Sequence, residues 1–172
     1  MGTRRKARES ALQILFQMEF NAADPEDLIR GYWKHRKASE EVKEYAAWLV
    51  RGTRESQKEV DAAIQTASEH WRIARMAVVD RNILRIAVFE MLRAKTLVPA
   101  IVINEAIEIA KRYSGEEASV FINGILDAVR KSLGGGKPAP RRAAVGPEGE
   151  KEKHGRKQRK TGPPGAGSGE RS

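Results

Sequence analysis

The sequence predicts an all-α fold, and three features carry that prediction. Apolar residues recur at three- and four-residue steps from Ala7 to Leu133, a spacing that gathers them on one face of a helix. Cap and breaker residues (Asp24-Pro25, Ser39, Pro99 and Gly115) punctuate this pattern at helix-length intervals. No stretch has the two-residue alternation of a strand, and no internal repeat is evident.

Taken in order, the first helix carries the stripe Ala7, Ala11, Leu12, Leu15, Phe16 and Met18. Arg4, Arg5, Lys6 and Arg8 crowd its mouth, where cations oppose the helix dipole at a few tenths of a kcal/mol each (roughly 0.3–1). Such a start is either solvated and frayed or compensated by an anionic partner such as a phosphate backbone. Asp24-Pro25-Glu26 starts a short second helix with an Asp cap, Pro at the first helical position and then an acid. Leu28, Ile29, Tyr32 and Trp33 face inward from it, and it is expected to end near Lys37, before the Ser39 cap of the next.

The third stripe is Val42, Tyr45, Ala46, Leu49 and Val50, continued by Val60, Ile64 and Ala67. Gly52 inside this run predicts one long helix weakened there, or two in sequence. Trp71 is expected to anchor the core at an element junction. The stretch VVDRNILRIAVFEML, ending at Leu92, has the widest apolar face, with Ile83, Leu84, Ile86, Ala87, Val88 and Met91 upon it. Neighbours should cover this helix on more than one side, so it is read as central. Asp80 suits its positive N-terminal end.

After Pro99, Ile101, Ile103, Ala106, Ile107 and Ala110 make the next helix, which closes on Lys111 and Arg112 and is capped by Gly115. Glu116 and Glu117 open the last, with the stripe Phe121, Ile122, Ile125, Leu126, Val129 and Leu133.

Beyond Leu133 the composition changes. Residues Gly134–Ser172 hold ten of the fifteen glycines and five of the seven prolines, with Val145 the only large aliphatic residue. Such a segment cannot bury enough surface to offset its ordering entropy and is expected to be disordered. Its ten Lys/Arg against four Glu account for +6 of the net charge of +9, leaving residues 1–133 only mildly basic. A nucleic-acid surface on the helical part must therefore be a local cluster. HGRKQRK, His154–Lys160, suits either a solubilising extension or a loose contact with nucleic acid.

There is no cysteine, which excludes disulfides, Cys-ligated zinc and thiol catalysis. His35, His70 and His154 lack metal spacing, and Ser10, Ser39 and Ser56 lack the context of an exposed nucleophile. Gly134-Gly135-Gly136-Lys137 runs into Pro138 where a phosphate loop needs Ser or Thr. The expectation is a protein that is not an enzyme and needs no cofactor. No apolar run approaches the roughly 20 residues of a membrane span, and the basic N-terminus lacks the apolar core of a signal peptide. The expected location is cytoplasmic.

Four segments in their order carry a family resemblance: RRKARESALQILF, VVDRNILRIAVFEM, VPAIVINEAIEIAKRYS (Val98–Ser114) and FINGILDAV (Phe121–Val129). Together they resemble the NusB family of bacterial transcription antitermination factors over Arg4 to Leu133. The resemblance implies two packed helical bundles of about seven helices. It implies binding, with NusE (a ribosomal small-subunit protein), to the single-stranded boxA element of nascent RNA. It further implies assembly into an RNA polymerase antitermination complex that supports ribosomal RNA transcription. Carried over, Arg4, Arg5, Lys6 and Arg8 become RNA contacts. Lys111, Arg112, Glu117 and Phe121 fall in a second RNA-facing region, and Phe16 and Asp80 look toward NusE. Phe16 stands where the family often has Tyr, so a hydroxyl-mediated contact does not carry over.

Chemistry leaves individual roles open. Phe121 suits a stacked base or the core; Asn123 can read a base edge or bond backbone beside Gly124. A monomer and a homodimer are both compatible with the sequence. Two other readings compete: an RNA-binding helical domain of the kind found at the N-terminus of ribosomal RNA cytosine methyltransferases, and a helical assembly protein whose basic ends keep it soluble.

Overall fold

The computed structural model describes residues 2–134, in which seven α-helices and one 3-10 turn account for the secondary structure. The Gly/Pro-rich basic tail expected for 134–172 lies, but for Gly134, outside the described residues, as does His154–Lys160. The helices are α1 (Thr3–Phe20), α2 (Pro25–Trp33), α3 (Glu40–Glu55), α4 (Gln57–Ala67), α5 (Val78–Arg93), α6 (Pro99–Tyr113) and α7 (Glu116–Leu133). The 3-10 turn, Ile73–Arg75, lies between α4 and α5.

Local chemistry sets most of the boundaries. Asp24 Oδ1 accepts from the Glu26 amide at 2.8 Å to start α2, and Ser39 Oγ accepts from the Val42 amide at 3.4 Å to start α3. At the α6–α7 junction the amides of Ser114 and Gly115 both donate to the Ala110 carbonyl, at 2.8 and 2.9 Å. Gly115 takes φ +107° there, a backbone region that favours glycine, and so serves as the expected terminator. The second helix stops earlier than expected, at Trp33 rather than near Lys37. Lys34-His35-Arg36-Lys37 is exposed throughout, so a further turn would gather like charges without burying any apolar side chain.

The run containing Gly52 is two helices, and the break is at Ser56, not at the glycine. Gly52 is buried inside α3 because the ring of Phe89 lies on its backbone; a Cβ built there would meet Phe89 Cζ at 1.9 Å. The glycine is thus a packing requirement between α3 and α5.

The central role of α5 holds. All nine residues from Asn82 to Glu90 are buried, a consequence of cover from α1, α3, α4, α6 and α7. Helices α1–α3 form one bundle and α4–α7 the other, with α5 packed against members of both and a continuous apolar cluster running from α1 to α7. Ala7, Val42 and Ala46 add a small second cluster where α1 meets α3. Encircling α5 this way also buries two of its charges. Arg85 forks onto Asp61 at 2.8 and 2.9 Å and reaches Glu19 at 3.0 Å; Glu90 is fully buried.

Four residues expected on the apolar stripes or in the core are exposed instead: Phe16, Trp71, Ile101 and Leu133. Trp71 does not anchor the core: it is 59% exposed, while Ile73 and Met76 take the inward positions of that segment. Leu133 is also exposed, Val129 being the last buried residue of α7. Among the described residues no helix is long and apolar enough to cross a membrane.

Candidate RNA and partner interface

The basic start of α1 divides into two outward and two inward cations. Arg4 and Lys6 are exposed. Arg5 forks onto Glu105 of α6, with Nε–Oε2 2.8 Å and Nη2–Oε1 2.7 Å. Arg8, 3% exposed, forks onto the buried Glu90 of α5 with both bonds at 2.8 Å, and its Nη1 lies 3.7 Å from Glu105. The expectation of four surface cations is therefore corrected at Arg8: its guanidinium faces the interior because Glu90 waits there. The anions that offset the dipole conflict are the protein's own carboxylates.

These pairs bias the charge states. The hydrogen bond from Arg5 holds the Glu105 carboxyl below the usual carboxylate range, and the same bond raises Arg5. Burial alone would lower Arg8, but the hydrogen bond and charge of Glu90 outweigh it and the net direction is upward. Tyr45, whose hydroxyl donates to Glu90, is pushed far above its ordinary value by burial and then by that bond. Arg4 lies over the same ring, 5.4 Å from its centroid.

The second group sits at the α6–α7 turn. Lys111 is exposed, 3.9 Å from Glu108; Arg112 is exposed and reaches Glu9 of α1 at 2.9 Å. Glu117 and Asn123 are exposed on α7. Phe121 is half-buried; its ring packs on the core and meets Trp71 edge-on at 6.0 Å, so both roles open to it are compatible with its place. The two groups are tied together by side chains that reach from α1 to α6: Arg5–Glu105, Arg112–Glu9, and then Gln13 Nε2 to the Tyr113 hydroxyl at 3.0 Å. Of the leading arginines, Arg5 thus shares a surface with the penultimate helix, whereas Arg4 faces Tyr45 of α3 and Arg8 is buried.

At the other end of α1, Phe16 is 40% and Phe20 71% exposed, their rings 5.1 Å apart. Glu19 between them pairs with Arg81 and Arg85 at 3.0 Å, which brings this end of α1 to the start of α5. Asp80 lies there, half-buried and accepting from the Ser114 hydroxyl. Phe16 and Asp80 thus lie on two helices that Glu19 joins at this end of α1, while the Asp80 side chain itself is turned to Ser114 at the end of α6. Phe20 went unnoticed in the sequence, although a second Phe four residues after Phe16 is a legible helical pair.

Among the described residues no group of His, Cys, Asp and Glu side chains has a metal-binding arrangement. A family model for the NusB family matches residues 5–131. The chain belongs to the NusB family. Relatives agree: "Transcription antitermination protein NusB" of Anaeromyxobacter dehalogenans is 47% identical over 131 residues, covering 76% of this chain and 92% of that protein. The protein of the same name from Sorangium cellulosum is 40% identical, covering 78% and 96%. Among solved structures, T. maritima NusB superposes with a TM-score of 0.69 at 39% identity, covering 74% of this chain and 90% of that one. A crystal structure of antitermination factors NusB and NusE in complex with double-stranded RNA gives 0.70 at 28% identity, covering 77% and 98%. Membership in the NusB family, rather than any missing catalytic cluster, sets the chain among relatives named transcription antitermination proteins, which are not enzymes.

Proposed function

We propose that this NusB family member binds boxA-containing single-stranded RNA together with NusE, within an RNA polymerase antitermination complex that supports ribosomal RNA transcription in the cytoplasm. The observation that carries this reading is the division of α1. Its first turn presents Arg4 and Lys6 outward while Arg5 locks the helix to α6, and its last turns present Phe16 and Phe20 at the end that Glu19 ties to α5. One helix thereby supplies a cationic grip for a phosphate backbone at one end and an aromatic docking face at the other. The solved NusB–NusE complex with RNA, to which this chain is similar, supports the same pairing of partners.

In this arrangement Arg4, Lys6 and Lys111 contact the backbone directly, and Arg5 and Arg8 position them by anchoring α1. Arg112, Glu117, Phe121 and Asn123 line the continuation of the site along the α6–α7 turn, and Phe16 and Asp80 face NusE. The division predicts different phenotypes. Arg4→Ala and Lys6→Ala should each weaken binding to a labelled boxA RNA and flatten the log–log salt dependence by about 0.7, without loss of thermal stability. Unchanged affinity and slope in the Arg4→Ala/Lys6→Ala double variant would remove the cationic grip from the account.

A further inference from the structure

Trp71 has a use that a space-filling role does not explain. Its backbone is clamped on both sides: the Trp71 carbonyl accepts from Gln65 Nε2 and from Ser68 Oγ, each at 3.1 Å, and its amide donates to the Ser68 carbonyl at 3.0 Å. Gln65 Oε1 also accepts from the Ile73 amide at 3.1 Å, closing the loop on the far side. The side chain held by this clamp is nevertheless 59% exposed. It meets Phe121 at an interplanar angle of 80°, an edge-on contact that fixes the indole while most of it faces solvent.

A rigid, exposed aromatic has had its ordering cost met before any ligand arrives, which favours tight binding. The surroundings indicate the ligand. His70, Arg72 and Arg75 are all exposed on the same segment, and neither arginine makes an ion pair among the described residues. An exposed indole followed by two arginines, against the single carboxylate of Glu69 in that segment, fits a stacked base with its phosphates better than it fits an apolar helix, which needs a stripe of several side chains.

We propose that Trp71, propped by Phe121, is a stacking platform for one unpaired base of the bound RNA, with Arg72 and Arg75 beside its phosphates. The proposal rests on the RNA-binding reading above and extends its surface from α7 onto the loop after α4. A stacked base is sequence-tolerant, so the platform contributes affinity and register more than base identity.

The test uses the full chain and a fluorescein-labelled single-stranded boxA RNA. Trp71→Ala should weaken binding by about 5- to 150-fold, the worth of one stacked base, while Trp71→Phe keeps most of the affinity. Neither variant should change the salt slope, because no phosphate contact is lost. RNA should quench tryptophan fluorescence in the parent chain, and Trp71→Phe should abolish that quench. Wild-type affinity in Trp71→Ala, or a quench produced by NusE without RNA, would overturn the platform and leave the RNA-binding reading standing. Failure of the parent chain to bind the RNA at all would overturn both.

Discussion

Replacing Glu90 by alanine is expected to destabilise the protein by about 3–5 kcal/mol, the usual cost of stripping one partner from a buried ion pair. The side chains of Arg8 and Glu90 are 4% and 1% exposed, and the guanidinium has both fork bonds on this single carboxylate. Without Glu90 the cation stays inside, with only Glu105 at 3.7 Å to offset it, and the Tyr45 hydroxyl loses its acceptor too. Urea unfolding measures the effect, which is a large share of the roughly 5–15 kcal/mol that holds a typical domain together. The double variant Arg8→Met/Glu90→Met should recover most of the loss, because two apolar chains of similar length carry no desolvation penalty. A loss below about 1 kcal/mol in Glu90→Ala would mean that Arg8 escapes to solvent and that the pair does not anchor α1.

Gly52→Ala is expected to destabilise by about 1–3 kcal/mol through overpacking, although alanine in an unencumbered helix interior is favoured over glycine by roughly 1 kcal/mol. The sign is decided by Phe89. Its ring is 3% exposed, stands 4.8 Å from the Trp48 ring, and would lie 1.9 Å from the new methyl carbon. The ring cannot move aside without displacing Trp48 or the backbone of α5. Phe89→Leu in the Gly52→Ala background should restore part of the stability, whereas Phe89→Leu alone should lower it. Thermal melts of the three variants make the comparison, and a Gly52→Ala protein more stable than the parent would refute the packing role.

What could be read from the chain followed from how local each feature is. Helix existence rests on apolar spacing, and the starts at Asp24 and Ser39 and the stop at Gly115 rest on bonds made within a few residues. These are visible in any short window of sequence. The fate of the basic start was not, because Arg5 meets a carboxylate 100 positions away and Arg8 one 82 positions away. Nothing near Arg8 distinguishes it from Arg4; only the folded path of α5 and α6 sends one inward and leaves the other out. Gly52 misled for a related reason. Its helix propensity marked a weak point, while its actual role, admitting an aromatic ring from α5, belongs to tertiary packing. Trp71 was assigned to the core on residue type, and the bonds of Gln65 and Ser68 that hold it outward leave no periodic trace.

The family resemblance supplied what spacing could not: the proposal that the chain's two exposed groups along α1, cationic and aromatic, serve one activity. The most direct test of that claim is an anisotropy titration of boxA RNA against the full chain, with and without NusE, beside a scrambled RNA of equal length. The account predicts preferential binding to boxA, a gain in affinity on adding NusE, and weakening as salt rises. Equal affinity for the scrambled RNA with no gain from NusE would contradict it.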